Sequence, residues 1–515
     1  MTALDGIVLG GLILCFLAIG LLGNSKTETT ADYFLAGRKL KWYQIGFSLF
    51  ATNFSASALI GLTGAAYITG IAIYNYEWVG ILALVFFALV LVAVVRGSRI
   101  YTIAEYLTER YDERVKVLYS AFIIFLIVFI DMAGSLYAGG LLLSEIIPGL
   151  SANAVIVLVM IMAGLYSVVG GLTAISKTDT FQSLILMLGA FLIAYFAMTA
   201  SGGWSNFVAN APKDSLSLIR GLDDRAVPWT GLLTGIPILC AYFWLTNQNM
   251  VQWVLSAKSQ TDARRGLLFA GFLKLPILFV VIIPGVAAIS LIPGITEPDR
   301  IYPAMLLELL PAGVLGLVLA GFVAALMSNT DSTLHAASTI VTMDFVRKWK
   351  PEIAPRQLVS IGRLTTIVII GISAFWAPMI GNFGTLFEYV QGMLSYAVSP
   401  FVVVYLGGLF WRGATACGAI CAIAAGLLSA ITIGILGDGL EIIDIHYLHV
   451  PLPVTVISAL TLFLVSKCMP SPVVDPRLLW TSSRASEASL ANIKRDRRWA
   501  ALLIILTIAL VIAFR

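Results

Sequence analysis

Charge is what this sequence has least of. Only 12% of its 515 residues are Asp, Glu, Lys or Arg, 59% are hydrophobic, and the mean hydropathy is +0.95. Soluble chains carry roughly 25% charged residues, so a soluble enzyme or binding module is excluded and an all-α polytopic membrane protein remains. The formal net charge of +4 is too small to suggest nucleic acid as a partner. Histidine is nearly absent, with three residues; a metal site built from Asp444, His446 and His449 in one loop stays open. The five cysteines, Cys15, Cys240, Cys417, Cys421 and Cys468, lie in or beside apolar stretches, with neither a disulfide framework nor zinc spacing. HExxH, GxSxG and Walker A runs are missing, and with them any pointer to an enzyme. The longest polar segments, 201–230 and 468–499, leave no soluble domain over.

What is present is a series of apolar stretches. About fourteen have the roughly 17–25 residues that a helix needs to span a bilayer. They begin near residues 3, 43, 77, 117, 152, 180, 229, 266, 312, 358, 387, 414, 449 and 498. The first lacks the basic flank and cleavage site of a signal peptide and is expected to be retained. Basic residues set the orientation. With the N-terminus outside, the odd-numbered loops are cytoplasmic and hold Lys26, Arg38, Lys39, Lys41, Arg96, Arg99, Arg110, Arg114, Lys116, Lys258, Arg264, Arg265, Arg347, Lys348, Lys350 and Arg356. To these the last odd loop adds Lys494, Arg495, Arg497 and Arg498, whereas the even loops hold only Lys213, Arg220, Arg225 and Arg300. The asymmetry predicts both termini outside, and the cluster before Trp499 reads as a stop-transfer flank or a lipid-binding patch.

Two stretches are polar where lipid-facing helices are not. Residues 43–68 hold Ala51, Thr52, Asn53, Ser55, Ala56 and Ser57 at their middle, and residues 231–255 hold Pro237 early and Thr246, Asn247, Gln248, Asn249 and Gln252 late. In hydrocarbon every backbone N–H and C=O must be paired, so such residues are tolerated where protein or a water-filled cavity surrounds them. A helix that unwinds there frees carbonyls for a cation. Five spans separate the two starts, an odd number that inverts the second copy, and interrupted helices at corresponding places in two inverted halves point to a transporter binding site. The alternative is that Asn247, Gln248 and Gln252 merely join helices through side-chain hydrogen bonds.

The intramembrane charges are Glu77, Asp131, Asp179, Lys274 and Asp331, with Arg363 and Glu388 nearer span ends. Each costs about 2.5–3.5 kcal/mol at a helix centre unless paired or hydrated. Asp179 opens the expected sixth span, either as a plain N-cap or with its charge put to use there. Residues 328–339, SNTDSTLHAAST, crowd oxygens together, and Ser328, Asp331 and Ser332 at i, i+3 and i+4 share one helix face. That is a donor set for a hard cation, or a carboxylate paired with another helix.

Runs in order along the chain carry a family resemblance: DYFLAGR from Asp32, SLFATN from Ser48, GIAIYNYEW from Gly70, GGLTA from Gly170 with TDTFQ from Thr178, NQNMVQWVLSAKS from Asn247, FLKL from Phe272, STIVTMD from Ser338, LFEYVQGMLSY from Leu386 and FWRG from Phe410. The sequence resembles the sodium/solute symporter superfamily and, within it, the sodium/glucose cotransporter branch. The resemblance implies a LeuT-type five-plus-five inverted repeat. Residues 1–42 would form a first helix and cytoplasmic loop, 43–200 the first repeat, 201–230 an extracellular loop, 231–411 the second repeat and 412–515 additional helices. It further implies a multi-pass protein of the cell membrane, embedded in the lipid bilayer, that imports a small molecule, a sugar or related polyol, with Na+ as coupling ion by alternating access. Symport of an amino acid or carboxylate, or a transporter-like nutrient sensor, are the alternatives.

Carried onto this sequence, the resemblance implies a sodium site of the Ala51, Phe54 and Ala325 carbonyls and the Ser328 hydroxyl, with Asn329 where the family commonly has a second serine. Some relatives bind another sodium at the position of Asp179, Asp331 and Ser332. The family's sugar contacts match at Asn53, Glu77, Trp244, Lys274 and Gln391. Amides, a carboxylate, an ammonium and an aromatic face suit the hydroxyls and C–H surface of a neutral polyol. Leu62, Tyr76 and Phe387 fall at the outer gate and Phe243 at the inner one. Ala58 stands where relatives have Gln or His, and Cys240 where some have Asn.

Overall fold

The computed structural model describes every residue except 23–29, 99, 148, 150, 223, 225, 471 and 481–489. Of the residues that set the orientation, Lys26, Arg99 and Arg225 lie outside the described residues. Among those described there is no β-strand beyond two isolated bridges, Leu40–Ala257 and Arg220–Pro228. The helices that build the site are, in chain order, α1 (Ala3–Leu22), α2 (Trp42–Asn53), α3 (Ala56–Thr69), α4 (Asn75–Phe86), α5 (Glu113–Leu126), α6 (Ala133–Ile146), α7 (Ala152–Ala200), α8 (Ile236–Ala241), α9 (Gln248–Leu255), α10 (Gln260–Lys274), α11 (Val314–Thr339) and α12 (Leu386–Ala397). α11 runs through the centre, buried along nearly its whole length and packed against α1, α2 and α7.

Both polar stretches break. α2 stops at Asn53, and Ser55 is the N-cap of α3, its Oγ accepting from Ala58 N at 3.2 Å. α8 passes through a π-turn, Tyr242–Thr246, to the extended Asn247, whose side chain accepts from Asn249 N at 2.9 Å and so caps α9. The first N–H groups of a helix lack intrahelical partners, and within a membrane no bulk water replaces them. A capping side chain is therefore what lets a helix restart mid-span. The Tyr119 hydroxyl donates to the Thr246 carbonyl freed at the second break.

Ten helices among the described residues are long and apolar enough to cross a membrane, eleven if Leu386–Ala397 and Ser399–Phe410, bent by 52°, count as one. The difference from the expected fourteen has three causes. The second half of the first broken span runs on to the third in one stretch, Ala56–Gly97. The last helix, Leu490–Ala513, carries Lys494, Arg495, Asp496, Arg497 and Arg498 into its membrane-length window. The fifth and sixth expected spans form a single 49-residue helix, α7, which no proline interrupts. Its polar run stays helical because Thr178 donates back to Ile175 O at 2.8 Å and Thr180 to Ser176 O at 2.9 Å. Asp179 is thus mid-helix, which rules out the N-cap reading.

Leu490–Ala513 is tied to α10 by ion pairs, the buried Asp496 lying 3.3 Å from Arg264 and 3.0 Å from Arg265.

Candidate functional site

The two breaks face a common cavity of about 130 Å³. α2 brings Thr52 and Asn53 to it, the loop and α3 bring Ser55, Ser57, Ala58 and Leu62, α4 brings Tyr76 and Glu77, and α12 brings Phe387 and Gln391. The π-turn and α9 add Phe243, Asn247 and Asn249, the π-bulge Ile127–Met132 adds Asp131, and α11 adds Asn329.

The expected substrate contacts come together in two layers. Asn53, Glu77 and Gln391 line the cavity. Behind them the Lys274 ammonium pairs with Glu77, donates to Asn53 Oδ1 at 2.5 Å, and lies 4.8 Å from the centre of the Trp244 ring. Such an ammonium–aromatic contact is favourable when desolvated. Gly80 makes room for the indole: a Cβ there would sit 2.8 Å from Trp244 Nε1. All three charged and aromatic partners are buried, and Cys240, where an Asn was a family alternative, donates its thiol to Tyr76 O at 3.5 Å.

The expected gates line the same cavity. Tyr76 and Phe387 meet edge to face, centroids 5.2 Å apart, and the Tyr76 and Tyr447 hydroxyls are 3.1 Å apart. Leu62 and Phe243 are the other two, with Phe243 packed against Trp244 at 5.1 Å. The 3-10 turn Pro298–Arg300 also reaches α12: Asp299 accepts from Leu386 N at 2.9 Å, and Arg300 pairs with Glu145 and Glu297. Burial pushes the Asp299 carboxyl up to about 6.

The expected cation residues lie where α2, α7 and α11 converge. Ser328 donates to Asp179 Oδ1 at 2.5 Å, Ser332 donates to Ser328 O at 2.8 Å, and Thr52 donates to Ser332 Oγ at 3.1 Å. The two groups assigned to separate sodium positions therefore form one network, with Ser48 beside Asp179. Ala51 and Phe54 occupy the last turn and C-cap of α2, where carbonyls run out of intrahelical partners and the helix dipole is negative. Ala325 lies one turn before Ser328 on α11. Asn329 donates to Ser135 Oγ at 2.7 Å, and Ser135 is 3.2 Å from Ser57. Asp331 is fully buried and engaged in an interaction of its own.

Gln248 and Gln252 do join helices. Gln248 accepts from Ile103 N at 3.0 Å, and Gln252 donates to Ser332 O at 3.2 Å. Asn247 and Asn249 instead line the cavity, with Asn249 also donating to Thr333 Oγ1 at 2.7 Å. Thr52, Ser55, Ser57 and Asn249, read from the sequence as parts of the two polar breaks, and Asp131, read as an intramembrane charge, are cavity residues to which the sequence assigned no individual role. In the outer loop His449 bonds Thr230 at 2.8 Å and His446 caps Leu448 N at 3.2 Å; no cluster of three metal-ligating side chains occurs among the described residues.

Comparison with known proteins agrees with this architecture. The profile of the Sodium:solute symporter family matches residues 33–426. The chain is 34% identical to the sodium/glucose cotransporter of Vibrio parahaemolyticus over 78% of its own length and 79% of that protein. It is 30% identical to sodium/myo-inositol cotransporter 2 of Sus scrofa over 90% of its own length and 77% of that protein. Among solved structures, the substrate-bound outward-open state of a Na+-coupled sialic acid symporter superposes with a TM-score of 0.81 at 20% identity, over 91% of this chain and 99% of that one. The fold is therefore the LeuT-type helical fold expected from the resemblance, and the protein is a multi-pass protein of the plasma membrane rather than an enzyme. The chain belongs to the sodium:solute symporter family, and the network joining α2, α7 and α11 stands in a sodium-coupled transporter.

Proposed function

We propose that this protein imports a sugar or related polyol together with sodium, by alternating access around the cavity between its two broken helices. The observation that carries the reading is the Asn53–Lys274–Glu77 cluster beside Gln391 and Trp244. It offers amide, carboxylate and ammonium groups together with an aromatic face and, because Glu77 and Lys274 compensate each other, no net charge. That combination suits a neutral molecule rich in hydroxyls.

In this reading sodium binds the Ala51, Phe54 and Ala325 carbonyls and the Ser328 hydroxyl, with Asn329 at the edge, and holds α2 against α11. Asp179, Asp331 and Ser332 serve a further cation or the exit route of the first. Substrate then settles between Asn53 and Gln391, Tyr76, Leu62 and Phe387 close over it, and the halves 43–200 and 231–411 rock so that the solute leaves past Phe243. Each sodium moving inward gains about 2.3 kcal/mol per 100 mV of inside-negative membrane potential.

The detergent-solubilised protein is expected to be stabilised by a sugar or polyol in sodium buffer but not in potassium buffer. At a ligand concentration of about 100 times Kd the gain is about 2.7 kcal/mol, a readily measured rise in melting temperature. Sodium-dependent stabilisation by amino acids or monocarboxylates, with no response to sugars and polyols, would overturn the substrate assignment.

A further inference from the structure

The cavity holds a carboxylate that the mechanism above does not use. Glu77 has its counter-charge in Lys274, which is also bonded to Asn53. Asp131 has none. It sits in the π-bulge Ile127–Met132, lines the same cavity, and no charged group offsets its burial. Its titratable surroundings are phenols: Tyr242 is within electrostatic reach of Asp131 and of Tyr119, and the Tyr119 hydroxyl is spent on the Thr246 carbonyl. A π-bulge in a transmembrane helix is a frequent mark of a functional position, and an intramembrane carboxylate is kept where something pairs with it.

The position of Asp131 within the cavity narrows what that something is. One turn further along, Ser135 touches Ser57 at 3.2 Å and Asn329 at 2.7 Å. Ser57 is followed by Ala58, whose methyl gives this wall of the cavity no hydrogen-bonding group of its own. Asp131 thus supplies an acceptor to the cavity next to the stretch of α3 that has nothing polar to offer beyond its serines, in addition to the compensated Glu77–Lys274 pair. With Lys274 engaged behind the cavity, no lining side chain among the described residues is a cation, and Asp131 is a lining carboxylate outside the cavity's ion pair.

We propose that Asp131 is a substrate contact and the specificity-determining residue of the site: it accepts hydrogen bonds from the hydroxyls of a neutral polyhydroxy solute and repels solutes that carry a carboxylate. This rests on the sugar or polyol reading and sharpens it, since it explains from a single side chain why the site would refuse organic anions. Like charges a few ångströms apart in a partly desolvated site repel strongly enough to impose discrimination of about 100-fold or more.

The experiment compares a matched pair in proteoliposomes driven by a sodium gradient: the sugar that the wild type accumulates best, and the uronate in which its primary alcohol is a carboxylate. The wild type is expected to have a half-saturation for the uronate at least about 100-fold above that of the parent sugar. In Asp131→Asn the parent sugar should bind more weakly and the ratio should fall to about tenfold or less, with sodium half-saturation unchanged. A merely structural role would depress uptake of both solutes alike and leave the ratio where it was, which would overturn the proposal. The wild type alone also decides: uptake of the uronate as efficient as that of its parent overturns it without any variant. If the wild type accumulates sugars and only the ratio fails to move, Asp131 loses its role and the symporter reading stands. Accumulation of no sugar or polyol at all overturns both.

Discussion

Lys274→Ala is expected to lower sodium-driven uptake at least about 100-fold. The ammonium compensates Glu77, positions Asn53 at 2.5 Å and lies against the Trp244 ring, so its removal strips two cavity residues and the ring behind them of their common partner. Glu77 is left buried without a counter-charge. Breaking a buried pair from one side costs about 3–5 kcal/mol, and about 1.4 kcal/mol corresponds to a factor of ten. The loss should appear first as a lower melting temperature and then as absent transport. A double variant, Lys274→Ala with Glu77→Gln, separates the two effects. Without the stranded charge its melting temperature should recover, while uptake stays low because the cavity has lost the Glu77 carboxylate and the ammonium that positions Asn53. Uptake within about threefold of wild type in the single variant would show that the pair is structural and that the substrate binds elsewhere.

Asp179→Asn should raise the sodium concentration for half-maximal uptake about tenfold or more. The Ser328 hydroxyl donates to Asp179, and that donation leaves its oxygen lone pairs to serve as a ligand. An asparagine can donate in its place and reverse the bond, so that Ser328 no longer presents lone pairs to a cation. Hydrogen bonds to charged groups contribute about 1.5–3 kcal/mol, which sets the size of the effect. Ser328→Ala should act in the same direction, and sugar half-saturation at saturating sodium should change little in either. An unchanged sodium dependence in both would remove the network from the coupling site.

Much of the site could be read before the fold was in view, because polar residues inside a membrane span are expensive and have few explanations. Ser55 and Asn247 stood out as polar residues in the wrong solvent. Both prove to be helix caps, the means by which an interrupted span satisfies its backbone. Family resemblance placed Asn53 and Lys274, separated by 221 positions, in one site, and the structure joins them by a hydrogen bond. Periodicity could not have done so, since it reports which face of a helix is apolar and not which helix that face meets. For the same reason periodicity could not show that Lys274 and Trp244 stand behind Asn53 and Glu77 rather than in the cavity lining.

Other features left weaker traces. The polar run from Lys177 to Thr180 suggested the start of a span, but a run without proline or a competing cap can continue as helix, and α7 does so. The Ser57–Ser135–Asn329 chain links three helices through side chains that are individually unremarkable in a membrane protein. Asp131 was visible as a charge without a purpose, and it is the cavity around it, with no counter-charge among the described residues, that gives it the role proposed for it.

Sodium-gradient-driven uptake by the purified protein in proteoliposomes tests the central claim most directly. With sodium high outside, and more so with an inside-negative potential, a labelled sugar or polyol should accumulate transiently above its external concentration. Collapsing the gradient, or replacing sodium with potassium, should abolish the overshoot. Failure of every sugar and polyol to accumulate under an inward sodium gradient, in vesicles that hold the gradient, would contradict the account.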